Sequence, residues 1–404
     1  MKKCFKERII EFWSKFTQDE VYIRKLMDNR DGIGRAYKYI NNLLNIVFQD
    51  VYFEIDVNTE KKYELILTPE GRREKLFLLY EWYRYANEEL KDKWNFYYTK
   101  PCKKEGENCN INMYNINLTY EDVHIIPEID LEEKRVNLIV YSEKLITLNE
   151  IERYNLFFIF LDMYISEIYS MDFIGYVDFY EKSKKNILKK IELKQDEIPK
   201  DEFDMLFEED DEDNIKYGYL NKELSVQVFE KSSISIKKLK SYIDEAINQN
   251  KWKVYKNPFE KFYGYNMQPT SESHWDFRED VIAGATADIS IINGYYNYDN
   301  SIYDRNFNDG VIYGFLFFEN ANIDQNQLIS FRMNIEDEII NLIEKKGIGR
   351  LIGGATGVYY SYMDFIIFDF REFLKISKTV LNKYNFKEKG FKKFKREDKI
   401  IKFD

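Results

Sequence analysis

The residues of this chain that are equipped for chemistry gather around two glycine-containing triplets, Gly284-Ala285-Thr286 and Gly354-Ala355-Thr356. Asp288 follows the first triplet, and Asp364 and Asp369 follow the second. With Arg350 and Thr356 as companions, these carboxylates offer the ligands and proton carriers of metal binding or general acid–base catalysis. Proton transfer near neutral pH falls most naturally to histidine, and the chain has only His124 and His274. His274 lies among polar residues in Ser271-Glu272-Ser273-His274-Trp275-Asp276, whereas His124 sits in a strand-like stretch. His274, Asp288 and Asp364 are therefore the catalytic candidates. A structural reading competes for the same residues: Asp369-x-x-Glu372 is a helix N-cap pattern, which leaves Asp364 at a strand edge.

Gly347, Gly349, Gly353 and Gly354 approximate the glycine spacing of a dinucleotide fingerprint. That chemistry needs a strand before the glycines and a helix N-terminus after them, so that amides point at the pyrophosphate. Here the apolar periodicity places a helix before and a strand after, and a phosphate-loop lysine is missing. Gly347 then reads as a helix C-cap, and Gly353, Gly354 and Gly357 as a bulge or hairpin turn. No cofactor is expected. The three cysteines, Cys4, Cys102 and Cys109, have no CxxC spacing and support neither a disulfide framework nor a zinc site, so no metal is expected and a reducing compartment fits.

The elements that must position these residues follow from periodicity. Two amphipathic helices over 5–28 and 33–47 open the chain. Strands at 51–56 and 63–68, a helix from Thr68-Pro69 to about residue 90 and a strand at 94–99 make a ββαβ unit. The same order recurs as strands at 123–128 and 135–142, a Thr147-x-x-Glu150 capping box with its helix, and a strand at 172–180. Residues 1–182 are expected to form one α+β domain from these units, 183–216 a charged linker, and 217–404 a second α+β domain. In the latter, strands are expected at 223–230, 251–256 and 288–292, a helix after Ser233, and a loop over 294–308. From residue 309 onward the pattern is strand, helix capped by Asp324-x-x-Gln327, glycine stretch, strand at 359–368, helix and a last strand at 391–395, the βαββα(β) order of a ferredoxin-like unit.

Composition narrows the function classes. Apolar residues make up 44% and aromatics 17% of the 404 residues, which provides cores for two domains and excludes disorder of the whole chain. A net charge of -11 argues against nucleic acid as a partner for the molecule as a whole and permits a basic protein partner. The basic, Phe-containing stretch 387–402 is the one place where RNA contact is conceivable, and a lysine-protected edge strand accounts for it equally well. The acidic run 208–213 lacks the glycine of an EF-hand loop, and the acid-and-apolar residues 201–207 before it suit docking on a basic groove. No apolar run approaches membrane-spanning length, and Lys6, Glu7, Arg8 and Glu11 interrupt any leader, so the expected location is cytoplasmic.

Residues 5–180 also carry Phe12-Trp13-Ser14-Lys15-Phe16 with Glu20, Thr68-Pro69-Glu70-Gly71, and Ala86-Asn87-Glu88-Glu89-Leu90 with Trp94. In these packing and capping positions the chain resembles a group of bacterial α+β proteins with no assigned function, similar in style to immunity and regulatory proteins; Asn87 stands where that pattern has proline. The resemblance implies a fold family whose function is unassigned, and the protein-binding expectation rests instead on there being only two histidines, no paired cysteines and no valid phosphate loop. The expectation is a non-enzymatic protein-binding module of regulatory or immunity type, with a hydrolase-like carboxylate site in the C-terminal domain or RNA-binding regulation as the alternatives.

Overall fold

The computed structural model describes residues 3–103, 109–180, 233–269, 277–321, 323–324 and 326–403. The expected linker at 183–216 and strand at 223–230 lie outside them. Helices and sheets both occur along the described residues, giving an α+β protein. Contacts divide it into two compact units, Met1–Tyr98 with Tyr255–Asp404, and Thr99–Val254. This differs from the expected domains 1–182 and 217–404, because the two ββαβ units fall in different bodies. Element order along the chain does not reveal which apolar faces meet. The first helix shares a core with the last third of the chain, Phe5 lying 5.6 Å from Phe368, centroid to centroid.

In the first unit, α1 (Phe5–Met27) and α2 (Ile33–Leu44) form a helical pair. Phe5, Ile9, Phe12, Trp13, Phe16 and Ile23 recur every three or four residues on α1 and are buried, the stripe that makes a helix dock. Strands β1 (Tyr52–Val57) and β2 (Tyr63–Thr68) form an antiparallel hairpin, helix α3 (Arg73–Arg84) crosses over, and β3 (Trp94–Tyr97) lies parallel to β2. Trp13 stacks on Trp82 of α3 with centroids 4.9 Å apart, and its indole N–H donates to the Trp82 carbonyl at 2.9 Å. The expected helix start at Thr68-Pro69 is instead a turn. Thr68 Oγ1 accepts from the Glu70 amide at 3.0 Å, and left-handed φ values at Glu70 and Gly71 delay the helix to Arg73.

The rest of this unit is a seven-stranded antiparallel sheet. Its strands are β10 (Tyr263–Asn266), β11 (Val281–Thr286), β12 (Ile312–Glu319), β13 (Gly349–Gly357), β14 (Tyr360–Ile367), β15 (Lys389–Lys393) and β16 (Ile401–Lys402). Its order is β10-β11-β13-β14-β12-β15-β16. Helices α9 (Leu328–Ile343) and α10 (Phe370–Leu381) connect β12 to β13 and β14 to β15, so β12 to β15 interleave as two split βαβ units in the order β13-β14-β12-β15. Alternation on β14 splits its side chains. Met363, Phe365 and Ile367 join the core under α9 and α10, whereas Tyr362 and Ile366 join the core of α1 and α3.

Several sequence expectations change here. Residues 288–292 are not a strand: Asp288 caps α7 (Ile289–Tyr296), and the strand is β11 just before it. The expected loop at 294–308 contains α8 (Ser301–Asn308). The α9 N-cap is Gln327, with Asp324 accepting from the Asn326 amide instead. The glycine stretch is itself the nine-residue strand β13, paired on both sides and bulged between Leu351 and Gly353. Gly347 does close α9, at φ 59°, with the Ile348 amide donating to the Ile343 carbonyl at 3.0 Å.

The second unit holds the hairpin β4 (Asn110–Met113) with β5 (Ile116–Thr119) and a four-stranded sheet. The sheet has the order β8-β7-β6-β9, from β6 (His124–Asp130), β7 (Arg135–Tyr141), β8 (Ile174–Phe179) and β9 (Ile234–Ser235). Between β7 and β8 run α4 (Glu150–Ile165) and α5 (Glu167–Phe173), broken at Ser166 with φ 75°; α6 (Ile236–Asn250) follows β9. Here β6 and β7 are antiparallel and β7 and β8 parallel, the same topology as β1-β2-α3-β3. The α4 cap is Asn149, accepting from the Glu152 amide at 3.0 Å, rather than Thr147. Ser235, not Ser233, precedes α6, and residues 251–256 form no strand. No helix among the described residues is long and apolar enough to cross a membrane.

Candidate functional site

Asp364 lies in the middle of β14, between β13 and β12, and not at a sheet edge. It alternates with Tyr362 and Ile366 and so faces the core of α1 and α3, where it is fully buried. Its partner is Arg278, also fully buried, whose Nη1 donates to Asp364 Oδ1 at 2.5 Å. Arg278 Nη2 donates to Tyr265 Oη of β10 at 2.6 Å. The rings of Phe315, Tyr362 and Phe394 surround its guanidinium at 5.2, 5.2 and 5.1 Å. A delocalised planar cation tolerates such a cage better than an ammonium, because it is weakly hydrated and attracted by ring faces.

The backbone around Arg278 is tied as firmly as its side chain. The Arg278 amide donates to Tyr362 Oη at 3.0 Å, and Tyr362 donates on to Asp280 Oδ1 at 2.5 Å. Tyr296 Oη donates to the Arg278 carbonyl at 2.7 Å and Tyr295 Oη to the Phe277 carbonyl at 3.0 Å. Asp280 Oδ2 accepts from the amides of Tyr359 and Tyr360, closing the β13–β14 turn. These bonds hold Arg278 at φ 73°, a left-handed conformation costly for a side chain of this size. Burial pushes the Asp364 carboxyl up, against the pull of Arg278. Burial works against the Arg278 cation too, but Asp364, Tyr265 and Tyr296 overcome it and raise its pKa above the ordinary value.

The other candidates lie elsewhere and have other partners. Asp288 is fully buried as the α7 N-cap, accepting from the Ser290 amide at 3.2 Å. Burial, reinforced by Glu74, pushes its carboxyl up to about 6. Arg350 pairs with Glu81 of α3 and Glu344, each at 3.3 Å, and lies 5.2 Å over the Phe259 ring. Thr356 Oγ1 accepts from Arg332 of α9 at 3.0 Å. Asp369 caps α10, accepting from the Glu372 amide at 3.2 Å. His274 lies outside the described residues. No hydrogen bond or ion pair links Asp288, Asp364 and Arg350 among the described residues.

The two Gly-Ala-Thr triplets do meet, as antiparallel neighbours: Gly284 opposes Ala355, Ala285 opposes Gly354 and Thr286 opposes Gly353. Their smallness is used by the packing. A Cβ on Gly284 would lie 2.4 Å from the Tyr265 ring, so the glycine lets Tyr265 lie across β11 and reach Arg278. A Cβ on Gly353 would lie 2.3 Å from the Ala285 carbonyl oxygen.

No family model, curated protein or solved structure matches this chain. The chemistry of the site is thus read from its geometry alone. Asp364 and Asp288 are sealed from solvent, each is occupied by a positioning bond, and no group of three or more His, Cys, Asp or Glu able to hold a metal occurs among the described residues. What the arrangement does is lock: Arg278 fastens β10 and the 277–280 segment to the centre of the sheet. Sequence reasoning missed Arg278, Tyr265, Asp280 and Tyr296: Arg278 and Asp280 lie in a turn without period, and the short β10 and α7 that carry Tyr265 and Tyr296 read as irregular and as strand or loop.

The basic C-terminal stretch is likewise committed internally. Lys392 is buried and donates to the carbonyls of Arg396 and Asp398 at 2.8 and 3.1 Å. Lys393 pairs with Asp398, Lys395 with Asp304, and Arg396 with Glu279, the last also lying 4.3 Å over the Tyr298 ring. The lysine-protected edge strand expected here is an interior strand, since β15 is flanked by β12 and β16.

Proposed function

We propose that this chain is a non-enzymatic, cytoplasmic protein-binding module of regulatory or immunity type, and that its partner is basic. The β6–β7 hairpin tip carries the reading. Leu131 is 63% and Ile129 38% exposed there, between Glu128, Asp130, Glu132 and Glu133. The rim is mainly acidic, four carboxylates against Lys134 and Arg135, and exposed aliphatic side chains within such a rim have the anatomy of a recognition patch, an apolar anchor whose surrounding charge steers an oppositely charged partner. The tip is also ordered: Asp130 Oδ1 accepts from the amides of Glu132 and Glu133 at 3.1 and 2.9 Å, so little conformational entropy remains to be lost on docking. The net charge of -11 supports the same sign of partner. The burial and structural engagement of Asp288 and Asp364 argue against the hydrolase-like alternative, and the internal pairing of the tail argues against RNA.

The test is capture from the native cell extract with the wild-type chain and with Glu132→Lys/Glu133→Lys. The reading expects a stoichiometric, salt-sensitive basic protein retained by the wild type and lost from the variant. Retention of the same proteins by both, or of none by the wild type, would overturn it.

A further inference from the structure

We draw no further inference here: the strongest candidate, the strip of small residues Gly264, Ala283 and Ala285 on the paired strands β10 and β11, carries no proposal because nothing in the structure shows what covers it.

Discussion

If Arg278 and Asp364 form a lock and not a reaction centre, removing either must cost stability, and removing both must cost less than the sum. Both residues are fully buried and their contact is 2.5 Å, so Asp364→Asn leaves a desolvated guanidinium with only Tyr265 and three ring faces. Stranding one member of a buried ion pair costs about 3–5 kcal/mol. Arg278→Met is expected to cost as much, since it strands the carboxylate and also forfeits cation–π contacts of about 1–2 kcal/mol. In the double variant Arg278→Met/Asp364→Leu no charge is stranded, and the penalty should fall below the sum of the single losses by at least about 2 kcal/mol. Urea unfolding monitored by tryptophan fluorescence reads all three, provided the denaturant slope is unchanged between variants. A cost below about 1 kcal/mol for Asp364→Asn, or strict additivity in the double variant, would refute the lock.

Three buried carboxylates predict a pH dependence. Burial pushes Asp162 and Glu336 up to about 7, and Asp288 up to about 6. A carboxyl whose folded pKa exceeds its unfolded value binds more protons folded than unfolded, so its stabilising contribution is full below about pH 4 and is lost as pH rises toward 7. For Glu336 the change amounts to about 3 kcal/mol as an upper figure, and Glu336→Gln should flatten the stability difference between pH 5 and pH 8; an unchanged slope contradicts the assignment. Gly347→Ala meets both a left-handed φ of 59° and the Tyr85 hydroxyl, 1.9 Å from the added Cβ, and should destabilise by about 2 kcal/mol. Equal midpoints of urea unfolding for wild type and Gly347→Ala would contradict the helix-cap role.

The legible parts of the sequence were those with a period. The α1 stripe, β12, α9, β14, α10 and the paired ββαβ units follow from spacings of 3.6 and 2, whereas the glycines of β13 read as a turn and hid a strand. Gly347 as a helix cap was equally readable, because a glycine after an apolar helix has few other uses. Asp288 shows the limit. Its neighbours Ile289, Ile291 and Ile292 have the β-branched composition of a strand, but the aspartate caps a helix, so a local hydrogen bond overrode propensity. The domain division failed for a different reason. A break in composition at 183–216 marks a change of chain character, whereas compact bodies are set by which apolar faces meet, and Phe5 with Phe368 meet across most of the sequence. For the candidate site, the sequence brought Asp364 to notice and missed Arg278, which makes it structural.

The central claim, protein binding through the β6–β7 tip, is tested most directly by amide hydrogen exchange of the chain alone and in complex with the partner it captures. The account predicts added protection confined chiefly to residues 124–141, with Leu131→Ala weakening the complex at least about tenfold, or about 1.4 kcal/mol. Protection elsewhere with the hairpin unchanged, or full affinity in Leu131→Ala, would contradict it.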